Sequence, residues 1–319
     1  ERLVGAEMCI RDRYNTFNSI TNCILNLSIK FYGGAIMTSN EKNHYAIEDP
    51  NHVGEVIISW IITHSCQERC GYCISPNKRN EITTREGHFM VQNQLIETGL
   101  TKMRYIGGEP LLIPHLPDLI IDAYNRGLDT RLSTNGILLT EEMFGKIKNH
   151  LNSIAFPFES ADDELNEKIR CTKYHRDTII SRIKMVKEAN DIGVLINTCV
   201  HKENIDCLED LGSLLSDLGV DHWKLRRFNS ASGRGAVPNK NRFDITDEEF
   251  FAKVAQLQKM FPNLKIDGRM PSKLATRLMV SPQGDLYRMI GAETEDVHYG
   301  NMLTDKLNIK EIYEKDHCN

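Results

Sequence analysis

The 319-residue sequence contains no run of ~20 near-continuous apolar residues, the length that a membrane-spanning helix requires. Its one candidate, Ile20 to Met37, is broken by Asn22, Asn26 and Lys30, and no A-x-A-like cleavage site follows it. Neither a membrane span nor a secretory leader is read there. An excess of one charge is missing too: 39 Lys and Arg stand against 44 Asp and Glu, for a formal net charge of −5. Such a mixed distribution provides no field for a nucleic acid polymer or a membrane surface, which leaves small molecules or peptides as partners. Paired cysteine spacing is also lacking. Six of the nine cysteines (Cys9, Cys23, Cys171, Cys199, Cys207, Cys318) are scattered, which fits a reducing cytoplasm and not a disulfide framework.

The other three cysteines lie together, in Cys66-Gln67-Glu68-Arg69-Cys70-Gly71-Tyr72-Cys73, directly after the apolar β-branched run Val56 to Thr63. Three soft thiolates in one loop can hold one metal centre. Iron–sulfur clusters with a complete protein ligand set take four cysteines, so three leave one iron open for something that is not protein. Zinc is the alternative, with His64 as its fourth ligand.

Residues 1–36 read as a non-native or disordered leader: Met8-Cys9-Ile10-Arg11-Asp12-Arg13 resembles translated adapter sequence, and Met37 reads as an initiator. Folding is expected to begin near Gly54. From there strand-like and helix-like patterns alternate. Strands are expected at Val56 to Thr63, Arg104 to Ile106, Asp129 to Leu132, Ser153 to Phe158, Val194 to Val200 and His222 to Phe228. Helices are expected at Gln92 to Thr98, His115 to Arg126, from Thr140, at Asp177 to Ile192 and at Cys207 to Leu218, with glycines at several C-termini. Six such units imply parallel pairing through right-handed crossovers. They are too few to close an eight-stranded barrel, so the fold class is α/β, a partial (β/α)6 TIM-like barrel over residues 54–228; a doubly wound open sheet is the alternative pattern. The strand ends favour the barrel, because there they deliver the cysteines, Gly107 to Pro110, Ser133 to Asn135, Glu159 and Ser160, Asn197 and Thr198, and Lys224 and Arg226 to one mouth.

Residues 229–319 read as a small C-terminal α+β extension over that mouth. It comprises a basic, irregular loop from Asn229 to Asp244, a capping box at Thr246-Asp247-Glu248-Glu249, a hairpin around Pro282-Gln283-Gly284-Asp285 and a short helix from Ile309 to Glu314.

The C-x3-C-x2-C triplet with Tyr72, followed in order by Gly107-Gly108-Glu109-Pro110 and Ser133-Thr134-Asn135-Gly136, resembles the signature of the radical S-adenosylmethionine (SAM) superfamily. The resemblance implies the partial barrel and a [4Fe–4S] cluster held by Cys66, Cys70 and Cys73, whose open iron binds SAM. It implies that the loop from Gly107 to Pro110 meets the SAM amino group. Ser133, Thr134, Asn135, Glu159, Ser160 and Asn197 are polar strand-end groups able to bond the ribose or the methionyl carboxylate; strand-end capping is their structural alternative. Arg170 resembles an arginine placed after the fourth strand in the family, although Cys171 stands where glycine usually follows. In peptide-modifying and cofactor-building members a C-terminal hairpin often carries cysteines for a second cluster. Arg288 and Met289 stand there instead, so one cluster is expected.

His222, Lys224 and Arg226 alternate along the sixth strand and read as a cationic face for a substrate or SAM anion, or else as a solvated face. The activity implied is one-electron reductive cleavage of SAM by an external reductant, giving a 5′-deoxyadenosyl radical that takes a substrate hydrogen. A peptide or cofactor precursor is one substrate reading. Trp223-Lys224, Asn197-Thr198 and Asp247 to Phe250 resemble positions of viperin-type nucleotide dehydratases, which gives the second. The third alternative is an iron–sulfur protein without catalysis.

Overall fold

Seven strands lie side by side in the order in which the chain makes them: β1 (Ile57–Thr63), β2 (Lys102–Gly107), β3 (Asp129–Ser133), β4 (Ser153–Pro157), β5 (Gly193–Val200), β6 (His222–Arg227) and β7 (Lys265–Arg269). All six neighbour pairs are parallel. The structure is a computed structural model that describes residues 57–76, 80–189, 191–269, 277–289 and 296–312. All of them belong to the unit His44–Asn319. The reading of residues 1–36 as a leader, and of Gly54 as the point where folding begins, lies outside the described residues.

The strand order decides between the two architectures that the pattern left open. A doubly wound sheet reverses its winding partway through its parallel βα units, whereas here the order runs from β1 to β7 without reversing, and the chain returns to the other edge of β1 only afterwards. With right-handed crossovers, a sequential order sends every connecting helix to the same face. The opposite face is left to curl in as the lumen of a partial barrel. The helices are α1 (Arg85–Glu97), α2 (Leu116–Asn125), α3 (Glu141–Ile147), α4 (Asp163–Arg170), α5 (His175–Lys187), α6 (Leu208–Asp217), α7 (Lys240–Phe243) and α8 (Asp247–Met260).

Alternation along the strands sorts the side chains between these faces. Ile58, Trp60, Ile62, Met103, Tyr105, Leu132, Ile154, Phe156, Val194, Ile196, Trp223 and Leu225 are buried and form one hydrophobic core. The residues between them are mixed: Ile61, Ala155 and Leu195 are apolar, while Ser133, Asn197, Lys224 and Arg226, towards the C-terminal ends, are polar. That Trp223 belongs to the core face is fixed by its indole N–H, which donates to Thr198 Oγ1 at 2.9 Å.

Three features go beyond the sequence reading. Helix α4 was not anticipated; Asp162 caps it by accepting from the Leu165 N–H at 2.7 Å, with Asp163 and Glu164 in its first turn. Strand β7 falls in what read as appendage. Its five residues, Lys265–Arg269, hold only one large apolar side chain, Ile266, and Gly268 is small because a Cβ there would come within 2.8 Å of Val254 on α8. The expected hairpin, β8 (Arg277–Val280) with β9 (Asp285–Met289), extends the sheet: β8 pairs parallel with β1, and β10 (Val297–Asn301) pairs with β9. The capping box at Thr246 forms as anticipated. Of the expected last helix, residues 309–312 are helical and the remainder lies outside the described residues. Among the described residues no helix is long and apolar enough to cross a membrane.

Candidate functional site

The cysteine loop leaves the C-terminal end of β1 and is held from three sides. Its own turn is closed by Cys73 N–H donating to the Cys70 carbonyl at 3.1 Å. Arg69 reaches back to donate to the carbonyls of Cys66 and Glu68, at 2.6 and 2.9 Å. Cys66, Cys70 and Cys73 are all free thiols of intermediate exposure. Burial pushes the Cys66 thiol up and the Cys70 thiol up to about 12. A coordinated metal would deprotonate such thiols.

The β2 loop forms the first wall. Gly107 has φ +152°, and a Cβ on it would lie 2.3 Å from the Thr63 carbonyl; one on Gly108 would lie 2.2 Å from the Ser65 carbonyl. These glycines therefore let the loop approach the backbone just ahead of the cysteines, where Gly108 N–H donates to Thr63 at 2.7 Å and Glu109 N–H to Ser65 at 2.8 Å. Glu109 is fully buried. Its carboxylate accepts from Leu111 N–H at 3.0 Å, Thr134 Oγ1 at 2.7 Å and Asn135 N–H at 2.7 Å. Burial raises it to about 7 against those three donors. Glu109 thus locks the β2 loop to the β3 loop, with Pro110 opening the short 3-10 turn that follows. From the β3 loop, Asn135 Nδ2 donates to Cys66 Sγ at 3.7 Å while its Oδ1 accepts from Gln67 at 3.2 Å.

The second wall comes from β4 and α4. Arg170 at the end of α4 forms an ion pair with Glu68 inside the cysteine loop, donates to the Tyr72 hydroxyl, and lies 3.5 Å from Glu159. The Tyr72 hydroxyl donates in turn to Glu159, whose other oxygen accepts from Cys199 N–H at 2.8 Å. Burial raises Glu159 to about 7, opposed chiefly by the Arg170 charge. Cys171 takes the left-handed conformation at φ 56°, a strained place for a residue with a Cβ and the reason glycine suits it. Ser160 is buried in a cap, accepting from Asp162 N–H at 3.0 Å. Glu68 and helix α4 were not anticipated as site elements. The acids that open α4 and the single carboxylate between the cysteines were the available signals.

The third wall is the segment after β6. Gly235 N–H and Ala236 N–H both donate to the Cys73 carbonyl, at 3.0 and 3.1 Å, and Arg234 N–H donates to Ser75 at 3.0 Å. Asn239 Nδ2 donates to the Gly71 carbonyl at 3.1 Å. A Cβ on Gly235 would lie 2.3 Å from the Cys70 carbonyl, and one on Gly233, at φ +102°, 2.2 Å from Ile74 Cα. Backbone is meeting backbone, so the contact has no flexible atom to give way. Gly235→Val is expected to push this segment off the loop and cut bound iron after anaerobic reconstitution by more than ~5-fold, with global unfolding shifted by only about 1–3 kcal/mol. Iron analysis beside a urea titration checks this.

Behind this wall Glu203 accepts two bonds from Arg242, at 2.8 and 2.9 Å, and one from Lys168 at 3.3 Å. These partners hold its carboxyl down at about 2. The associated stability is present above the ordinary carboxyl range and lost as pH falls through about 2. Glu203→Gln is expected to cost about 1–3 kcal/mol at neutral pH. The gap between variant and parent closes progressively below pH ~4.5 in chemical denaturation.

On the lumen side, Pro157, Asn197, Lys224 and Asp267 are in register across four strands. Arg226 Nε donates to Asn197 Oδ1 at 3.4 Å. His222 bonds Asp267 at 2.6 Å. It is four residues below Arg226, roughly 13 Å at ~3.3 Å per residue, and so stands at the far end of the strand from the cysteine loop.

The residues present fit a four-iron cluster. Three soft donors share one loop, and Asn135 supplies an outer donor to one of their sulfurs. Among the described residues no three His, Cys, Asp or Glu side chains converge on one ion.

Residues 60–215 match the radical SAM superfamily. The chain is 29% identical over 152 residues to a PqqA peptide cyclase of Granulibacter bethesdensis, covering 46% of this chain and 40% of that protein. It is also 29% identical over 237 residues to an S-adenosylmethionine-dependent nucleotide dehydratase of Lacinutrix mariniflava, covering 67% of this chain and 48% of the other. The chain thus spans less than half the length of either relative. In fold it is similar to Streptococcus suis SuiB bound to S-adenosylmethionine, at 14% identity and TM-score 0.65, over 81% of this chain and 65% of SuiB.

Proposed function

Because this chain belongs to the radical SAM superfamily through its residues 60–215, we propose that it binds one [4Fe–4S] cluster through Cys66, Cys70 and Cys73 and reductively cleaves SAM. The observation that carries the reading is the convergence of three strand-end loops, Gly107 to Pro110, Ser133 to Gly136 and Glu159 to Arg170, on the cysteine loop. When bound, the cluster and SAM supply one electron and a 5′-deoxyadenosyl group that takes a hydrogen atom from substrate.

The chain's own share is positioning. Glu109 fixes two of the loops relative to each other, Asn135 orients the Cys66 sulfur, and Arg170 ties the cysteine loop to α4 through Glu68 and Tyr72. Ser133, at the open end of β3, and Asn197, on the lumen face of β5, remain the polar groups best placed for the nucleoside or methionyl part of SAM.

Two substrate classes follow. A peptide is supported by the likeness to a peptide cyclase and to SuiB, which has also been solved bound to its precursor peptide SuiA. A nucleotide is supported by the relative matched over 67% of the chain and by the lumen position of Lys224, a residue only 7% exposed and in register with Asn197. The full chain, reconstituted without oxygen and reduced with dithionite, is expected to form 5′-deoxyadenosine from SAM. A nucleoside triphosphate that raises the yield selects the second class, and a peptide that does so selects the first. Iron-loaded protein that forms none would reduce the reading to a non-catalytic iron–sulfur protein.

A further inference from the structure

We propose that Glu81, which follows the cysteine loop in sequence, is a positioning residue for the SAM side of the site: it fixes residues 63–65, the backbone on which the loop from Gly107 to Pro110 is seated. The inference rests on the radical SAM reading and adds a residue that no motif marks.

The end of β1 is held from two sides, and only one of them is sheet. Its register with β2 shifts between Ile61 and Thr63, an irregularity of the kind that re-aims a strand end. Beyond that point the β2 loop uses two carbonyls of β1 and its extension: Gly108 N–H donates to Thr63 at 2.7 Å and Glu109 N–H to Ser65 at 2.8 Å. On the other side the ladder with β8 spans Ile58 to Trp60 and stops short of His64. Glu81 takes the place of a strand there. Its Oε1 accepts from His64 N–H at 2.8 Å, and its Oε2 accepts from Thr63 Oγ1 at 2.7 Å. Thr63 Oγ1 accepts in turn from Ser65 N–H at 3.0 Å. Residues 63, 64 and 65 are therefore tied, directly or through one hydroxyl, to a single carboxylate. That side chain is 13% exposed, with His64 Nδ1 3.2 Å away.

Glu81 is itself held in place, as a group that positions others must be. Asn80 turns the chain at φ 66°, a left-handed conformation that asparagine tolerates. Ile82 packs against the hydrophobic core, and its N–H donates at 2.8 Å to the Pro282 carbonyl in the turn of the C-terminal hairpin. Thr84 then caps α1 by accepting from Gly87 N–H at 3.1 Å. The cysteines have holds of their own: Asn135 at Cys66, and residues 233–239 at Cys70 and Cys73. Removing the Glu81 carboxylate thus loosens the seat of the β2 loop and leaves the thiols gathered. On the radical SAM reading that loop meets the SAM amino group, so the loss falls on SAM affinity and not on iron.

The test compares Glu81→Ala, Glu81→Gln and Thr63→Val with the parent, each as the full chain reconstituted without oxygen and assayed for 5′-deoxyadenosine with dithionite. In Glu81→Ala a buried amide loses its acceptor, and the KM for SAM is expected to rise at least ~10-fold, with iron at the parent value and kcat within ~3-fold. Glutamine has the same reach and keeps an oxygen for the His64 amide, so Glu81→Gln is expected to bring KM back to within ~3-fold of the parent. Thr63→Val keeps the shape, drops one bond and is expected to fall between the two. Hydrogen exchange on the full chain reads the same seat and needs no cluster: Glu81→Ala is expected to speed the amides of residues 107–109 at least ~10-fold and to leave those of α2 unchanged. A parental KM, iron lost in parallel, or unchanged exchange at 107–109 would each overturn the assignment, and Thr63→Val decides it should Glu81→Ala not fold. A parent chain that cleaves no SAM would instead count against the proposed function, and the exchange measurement would still decide the role of Glu81.

Discussion

Cys66→Ala, Cys70→Ala and Cys73→Ala are each expected to leave the purified protein with iron near background and without SAM cleavage, while the fold persists. The loop offers three thiols and no more, so a cluster that loses one keeps two protein bonds on a single segment. The three positions differ in what surrounds them. Cys70 and Cys73 are held by backbone contacts from residues 233–239, whereas Cys66 has the Asn135 side chain. Asn135→Ala is therefore expected to retain a cluster but to alter its environment, and Cys66→Ala to lose it. Iron and sulfide analysis with electron paramagnetic resonance after reduction separates the two outcomes. Circular dichroism matching the parent in all three cysteine variants is part of the expectation, because none of the three belongs to the hydrophobic core.

Arg170→Met is expected to be the most destabilising single change in the site, by about 3–5 kcal/mol. The arginine side chain is 4% exposed and serves Glu68 and Glu159, each 1% exposed. Removing it strands two carboxylates in a dry region and frees the Tyr72 hydroxyl from one of its two partners. Arg170→Lys keeps the charge but not the fork, and so retains only part of the stability. The double variant Glu68→Gln/Arg170→Met should recover part of the loss, because it removes one of the stranded charges together with its cation. A double-mutant cycle in urea, with iron content measured on each variant, reads both consequences. If Arg170→Met unfolded at the parent's urea midpoint, the buried network would carry no weight.

Most of the barrel was legible because its strands and helices obey different periods. Glycine at 99, 127 and 219 stands just past helices α1, α2 and α6, and each takes a positive φ there. The strand ends marked by Cys66, Gly107, Ser133 and Glu159 do meet. What was not legible depends on pairs far apart in sequence. No local pattern joins Glu68 to Arg170, since the partners are 102 positions apart. The resemblance implied that the loop from Gly107 to Pro110 meets SAM; what no local pattern told is that Gly107 and Gly108 also let this loop close on the chain's own backbone at Thr63 and Ser65. Strand β7 escaped because Lys265, Asp267 and Arg269 outnumber its apolar residues; Asp267 is there to face His222 across the ladder. The short α4 escaped because its eight residues bury only Asn166, Ile169 and Arg170.

The wall formed by residues 233–239 bears on the order in which the protein is made. Asn239 and Gly71, which it joins, are separated by 168 positions, and β8 reaches its place beside β1 later still. A ribosome therefore releases the three cysteines long before it releases what encloses them. Until synthesis has passed Phe243 they form an open, half-built hook that any thiophilic metal can occupy. On the proposed reading, delivery of iron and sulfide therefore follows synthesis of the segment that closes the loop.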